Sequence, residues 1–213
     1  MIEIDGSQGE GGGQVLRTSL ALSMVSGSPF RIQNIRAGRK KPGLMRQHLT
    51  SVNAAAEVCQ ARVQGNELGS LELEFFPGTV RPGNYHFSVG TAGSTTLVCQ
   101  TVLPALMTAS APSTLTLEGG THNPFAPPFD FLERVFAPVV ETMGPKIDLM
   151  IERYGFYPAG GGKVQLRIEP VESLAPIDLT ERGEIISKKG EVLYAHLPHD
   201  IAVRELKVIG EKI

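Results

Sequence analysis

The sequence predicts an α+β fold built from tandem repeats, each a four-stranded sheet with two helices on one face. Three observations carry this. Short stretches such as Leu71-Glu72-Leu73-Glu74-Phe75 alternate apolar and charged residues, as a half-buried strand does. Other stretches place apolar residues at helical spacing. The order of strands, glycine turns and helices then returns after roughly eighty residues, which marks a domain-sized duplication rather than a short-period solenoid.

The chain opens with Ile2 and Ile4 alternating with Glu3 and Asp5, a short strand. The run Gly9-Glu10-Gly11-Gly12-Gly13 leads into a helix predicted from about Gln14 to Val25, with Leu16, Leu20 and Met24 on its inner face. Phe30, Ile32 and Ile35 form a second strand. A basic stretch follows, and then a helix whose apolar face is Met45, Leu49, Val52, Ala56 and Cys59. Leu71 to Phe75 closes the first unit. In the second unit, Tyr85, Phe87 and Val89 form a strand, and Gly90-Thr91-Ala92-Gly93-Ser94 opens a helix. Thr114 to Leu117 is the next strand. A helix from about Phe129 to Met143 should bury Leu132, Val135, Val139 and Met143, and Lys163 to Ile168 alternates like the closing strand of the first unit. Beyond it, Leu179 to Ile185 and Val192 to Pro198 suggest one more strand, and Asp200 to Lys207 a helix. The expected divisions are 1–79, 80–178 and an incomplete third segment, 179–213.

Composition excludes several classes. With 213 residues, 41% hydrophobic, 20% charged and a net charge of -2, the chain is ordinary for a globular protein. No stretch is long and apolar enough to span a membrane, and the start lacks the pattern of a signal peptide. Two cysteines, Cys59 and Cys99, make neither a disulfide framework nor a zinc site, and a reducing, cytoplasmic setting is expected.

Against this neutral background, Ile35 to Leu49 holds Arg36, Arg39, Lys40, Lys41 and Arg46, and no acidic residue lies between Glu10 and Glu57. Arg46 and Arg17 fall in the first turns of predicted helices, where a cation is disfavoured by roughly 0.3–1 kcal/mol. An anion in front of them would explain the placement, since the arginine fork matches phosphate. A solvated charged loop is the alternative. The glycine turn before Gln14 offers free backbone N–H groups to the same kind of anion, although it matches neither standard phosphate-loop signature. Glu10 there could hold a divalent metal or simply complement the helix dipole; spacing does not choose. The second unit has Gly119, Thr121 and His122 where the first has Arg36, Arg39 and Lys40. A structural need would act on both copies, so the charge points to a ligand.

The motifs DGSQGEGGGQVLR, IRAGRKKPGLMRQHL, GTAGS, PFAPPFD, GFYPAGGG and LTERG, in this order, resemble the RNA 3'-terminal phosphate cyclase family across essentially the whole chain. The resemblance implies ATP-dependent conversion of an RNA 3'-phosphate to a 2',3'-cyclic phosphate, with a divalent metal (Mg or Mn). AMP passes first to an enzyme histidine and then to the RNA, and the neighbouring 2'-hydroxyl finally displaces it. It further implies that Glu10 is a metal ligand, and that Arg17, Arg39 and His48 belong to the catalytic set. Arg36 and Gln47, with Arg39, would bind phosphate and RNA, and Gln100 and Pro127 the nucleotide, Pro127 against adenine. Members carry a third repeat with a small α/β domain inserted before it. The resemblance therefore implies that this sequence is the N-terminal part of a cyclase, with two of three repeats and the start of the inserted domain. The nucleophilic histidine would lie in the third repeat, so this chain alone is expected to be inactive and prone to self-association. The expected partners are RNA 3' ends. A non-catalytic RNA-binding relative acting in ribosome assembly is the alternative. An enolpyruvyl transferase, which shares the repeated unit, fits the motifs less well.

Overall fold

The computed structural model describes residues 1–212. Two compact units divide it, Met1–Pro176 and Ile177–Ile213.

In the first unit the duplication is plain in the strand order. Strands β1 (Ile2–Asp5), β2 (Phe30–Gln33), β3 (Arg62–Gln64) and β4 (Leu73–Phe76) form a sheet of order β1-β2-β4-β3. Strands β5 (Asn84–Ser88), β6 (Ser113–Gly119), β7 (Lys146–Arg153) and β8 (Gly162–Glu169) repeat it as β5-β6-β8-β7. In both sheets the first pair is parallel and the other two are antiparallel. A parallel pair needs a crossover. Helix α1 (Gln14–Ser26) supplies it in the first sheet and α3 (Thr95–Leu106) in the second. Helix α2 (Arg46–Cys59) runs between β2 and β3. α3 touches both α1 and α2, so one core, including Leu16, Leu20, Phe30, Val52, Phe75, Val98, Leu115 and Leu166, serves both sheets. Strands β3, of three residues, and β7, of eight, are additions to the sequence reading.

Three details differ from expectation for physical reasons. First, Leu71 is half exposed and lies outside the strand, which begins at Leu73. Its carbonyl instead accepts from Ile35 N–H (3.0 Å), Ser70 accepts from Leu44 N–H (3.0 Å) and Leu44 accepts from Gly69 N–H (2.8 Å). Residues 69–71 thus clamp the basic stretch rather than extend the sheet. Second, Met45 is exposed and caps α2, whose buried face is His48, Ser51, Val52, Ala55, Val58 and Cys59, one residue round from the predicted stripe. Third, the helix after Pro128 is α4 (Phe129–Phe131), a π-helical segment (Leu132–Phe136) and α5 (Ala137–Glu141). Leu132 is buried as expected, but after the wider turn the buried positions are Ala137 and Val140. Val135 is left exposed, and Val139 and Met143 only partly covered.

Cys59 and Cys99 are both buried and free. Burial raises the Cys59 thiol above its ordinary value and pushes Cys99 up to about 12. Neither should react with a thiol reagent at neutral pH until the protein unfolds. Rapid labelling of either cysteine in the native protein would contradict this packing.

In the second unit, helix α6 (His199–Gly210) forms as expected. The predicted strand does not: residues 177–198 contain no strand. Among the described residues of that unit no second strand is present to pair with it, and an isolated strand has no stability of its own. No helix among the described residues is long and apolar enough to cross a membrane.

Candidate phosphate-binding site

The basic stretch is a closed loop whose middle, residues 37–42, is exposed. Gly43 N–H donates to Ile35 O (2.7 Å), bringing the loop ends together, and Gly38 N–H donates to Gly11 O (3.2 Å), tying the loop to the glycine turn. Gly43 has φ +79°, and a side chain there would strike the Gly69 carbonyl, so this clamp requires glycine. Arg36, itself at φ 57°, turns back and donates from Nη1 to the carbonyls of Lys41 (2.8 Å) and Gly43 (2.9 Å). Arg36 is thereby both a charge in the site and a brace of its own loop.

A cleft of about 670 Å³ opens where this loop, the start of α1 and the second repeat meet. From the first repeat it is lined by Glu10, Gly13, Gln14, Arg17, Arg36 and Arg39, and from the second by Leu97, Gln100, Phe125 and Pro127. α1 starts at Gly13 with no side-chain cap, so its first N–H groups are open to a ligand.

The electrostatics are unbalanced. Arg17 is only 7% exposed, and its guanidinium donates to Gln14 Oε1 (2.8 Å); among the described residues its Nε, buried, has no partner. Burial, and then repulsion from Arg36, lowers Arg17 to about 10, so it remains charged at neutral pH. Arg36 is lowered by burial and by Arg39. Glu10 pairs with Arg39, but both side chains are exposed. Such a pair contributes about 0–1 kcal/mol and is readily exchanged for a phosphate.

His48 lies behind the cleft wall rather than on it. It is buried at the start of α2, with its ring edge against Gly13 and close to the Arg17 guanidinium. Its Nδ1 has no partner. Burial, Arg36 and Arg17 push it down to about 3, which keeps it neutral. Gly13 exists as glycine because a Cβ there would collide with this imidazole. Gly13→Ala should displace His48 and Arg17 together and weaken phosphate binding by about tenfold or more, the loss of one charge-assisted bond. Binding of inorganic pyrophosphate, followed calorimetrically, checks it.

The other predicted residues divide. Gln100 and Pro127 are in the cleft. Gln47 is not: its Oε1 accepts from Ser94 N–H (2.7 Å), docking α2 onto the start of α3. Lys40, Lys41 and Arg46 are exposed and line no part of the cleft. Residues not anticipated include Ser94, which caps α3 and contacts Thr96 Oγ1, and Thr96, which donates to Pro127 O (2.8 Å). The only sequence signal for these was Ser94 at a helix start. Beside the cleft, sharing Leu97, Gln100 and Pro127 with it, an apolar cavity of about 310 Å³ is walled by Leu103, Phe131 and Phe136.

A divalent metal would find one carboxylate here. Among the described residues no group of three His, Cys, Asp or Glu side chains is placed to hold an ion. Glu10, exposed at the cleft, fits the other mode, in which magnesium is held by one or two carboxylates and the substrate's phosphates.

An uncapped helix start, a self-braced arginine loop and an adjoining apolar cavity are features that would suit a phosphorylated ligand beside an apolar group. Comparison with known proteins is more specific. The family model for RNA 3'-terminal phosphate cyclase matches residues 8–208, and the chain belongs to that family. It is 62% identical over 207 residues to the RNA 3'-terminal phosphate cyclase of Koribacter versatilis (strain Ellin345), a match covering 97% of this chain and 58% of the relative. The chain thus spans a little under three fifths of that relative's length.

Proposed function

We propose that this chain carries the RNA-phosphate and nucleotide-phosphate binding half of an ATP-dependent RNA 3'-phosphate cyclase. The observation that supports it most is Arg17: a buried cation with an unpartnered Nε, repelled by Arg36, in a cleft whose one carboxylate, Glu10, pairs with Arg39 instead. A terminal phosphate would accept from Arg17, Arg36 and Arg39 and from the first N–H groups of α1. The nucleotide's base would enter the apolar cavity, with Pro127 against its face and Gln100 at its edge. The charge that develops on phosphorus during AMP transfer, and again as the 2'-hydroxyl attacks and AMP leaves, would meet donors already in position. A divalent metal at Glu10 would neutralise phosphate charge, freeing Arg39 from its carboxylate.

The histidine that accepts AMP is expected outside the cleft described here. His48 is buried behind Gly13, His86 pairs with Glu118 (3.4 Å), and His122 is held by Thr121 and Asp130 (2.8 Å each). His196 and His199 lie in the second unit and line no part of the cleft, so the chain alone should bind without adenylation. The test is a short RNA bearing a 3'-phosphate or a 3'-hydroxyl, together with labelled ATP and magnesium. Preference for the phosphorylated end without acid-labile label on the protein is the expected result. Equal binding of the two ends would refute the phosphate site. Label on this chain would refute the placement of the nucleophile.

A further inference from the structure

The loop between β6 and α4 presents a side chain that phosphate chemistry leaves unused. Phe125 is 104% exposed, and its φ is +64°, a left-handed conformation that a bulky L residue rarely adopts. The loop that holds it is well anchored. Before it, Asn123 Nδ2 donates to the Ala92 carbonyl. After it, Thr96 Oγ1 holds Pro127 O, and Phe129 N–H donates to Thr121 O (3.1 Å). His122 is tied to Asp130 across the same loop (2.8 Å), and Pro124, Pro127 and Pro128 fix three φ angles.

A single exposed apolar residue ordinarily needs no explanation. This one is held on a disfavoured backbone by an anchored loop, and it lines the cleft that contains Arg17, Arg36 and Arg39. It does not line the apolar cavity. Cations that follow a phosphate backbone, with a rigid aromatic ring beside them, are the combination that binds single-stranded nucleic acid: charges hold phosphates and the ring takes a base face. A ring carried on an anchored backbone has less entropy to lose on stacking than one on a mobile loop.

We propose that Phe125 is a stacking platform for a nucleobase in the last two nucleotides of the RNA whose 3'-phosphate the arginines hold. This rests on the phosphate-end reading above. The base of ATP is the other candidate for the ring, but the apolar cavity serves that base and Phe125 does not border it. Stacking on one ring is tolerant of sequence, so the platform would favour possession of a base, not a particular one.

The test compares wild type, Phe125→Ala and Phe125→Tyr for binding of a 3'-phosphorylated RNA and of the same RNA made abasic at its last two positions. Fluorescence anisotropy reads both, and ATP binding is measured in parallel. Because the ring is fully exposed, neither variant has a core contact to lose. Phe125→Ala should weaken binding of the base-bearing RNA about 5- to 150-fold, the range of one base–aromatic stack, and leave the abasic RNA unaffected. Phe125→Tyr should keep the wild-type preference. An equal loss on both RNAs, or no loss on either while Arg39→Ala weakens both, would overturn the platform and leave the phosphate site standing. A loss confined to ATP would overturn the assignment to RNA. If wild type does not distinguish a 3'-phosphate from a 3'-hydroxyl, the phosphate-end reading falls and the platform falls with it.

Discussion

Arg17→Met should yield a protein at least as stable as wild type and nearly blind to phosphate. The expectation for stability follows from what Arg17 lacks. It is buried, one amide accepts from it, its Nε has no partner and Arg36 repels it. Its pKa falls from 12.5 to about 10, so holding the charged form costs on the order of 3 kcal/mol at neutral pH, at about 1.4 kcal/mol per pKa unit. Methionine removes that cost and loses about 1.5–3 kcal/mol for the charge-assisted bond to Gln14. The net change of about 0–1.5 kcal/mol should hold or raise the urea midpoint, and replacement of buried charge by apolar groups often has this sign. The loss in binding comes from the same atoms. A charge-assisted bond to phosphate contributes about 1.5–3 kcal/mol, so affinity for pyrophosphate or a 3'-phosphorylated RNA should fall about 10- to 150-fold. Arg17→Lys should recover only part, because an ammonium cannot reproduce the planar fork. A variant that is less stable, or that binds phosphate as wild type does, would show that Arg17 is there for packing. Stability that holds or rises while binding falls separates a binding defect from general damage.

The legibility of this fold tracks how local each cause is. The repeat can be read because period-2 strands and glycine-opened helices are patterns within ten or so residues, and they recur in order. β3 escapes because Arg62-Val63-Gln64 is too short to show alternation. The π-helical turn at Leu132–Phe136 leaves no mark in composition, yet it decides which valines of that helix are buried. In the site, Arg17 is legible because a cation in the first turn of a helix contradicts the dipole. Lys40, Lys41 and Arg46 look equivalent to Arg36 and Arg39 as a charge run. Only the loop closure by Gly43 and Ile35, and the hydrogen bond of Gly38 to Gly11, separates the cleft cations from the solvated ones. The bond from Ser94 N–H to Gln47 joins residues far apart in sequence, and neither residue signals the other. Pro127 enters through family resemblance alone; the structure supplies its physical context, a carbonyl held by Thr96 at the boundary of cleft and cavity.

His48 should make the protein sensitive to mild acid in a way that ligand relieves. Its pKa is pushed from 6.5 to about 3, first by burial and then by Arg36 and Arg17. Above pH 6.5 the group is neutral whether folded or unfolded and contributes nothing. As pH falls below 6.5 the unfolded chain takes a proton that the folded chain refuses, so stability is lost, and the loss is complete near pH 3. At about 1.4 kcal/mol per unit, the contribution at pH 4.5 should be about 2–3 kcal/mol relative to pH 7. Urea unfolding at the two pH values measures it, and His48→Gln, which cannot titrate, should remove that part of the difference. An equal pH dependence in the variant would mean that other groups govern acid unfolding. Bound phosphate sharpens the test. An anion against Arg17 and Arg36 offsets two of the three causes of the depression, so pyrophosphate should raise the His48 pKa, visible as a shift of its ring proton resonances to higher pH. The acid sensitivity of the wild type should then shrink as pyrophosphate is added, and the variant should show no such change. Protonation of His48 and occupation of the cleft would in that case be linked through the same two guanidinium groups.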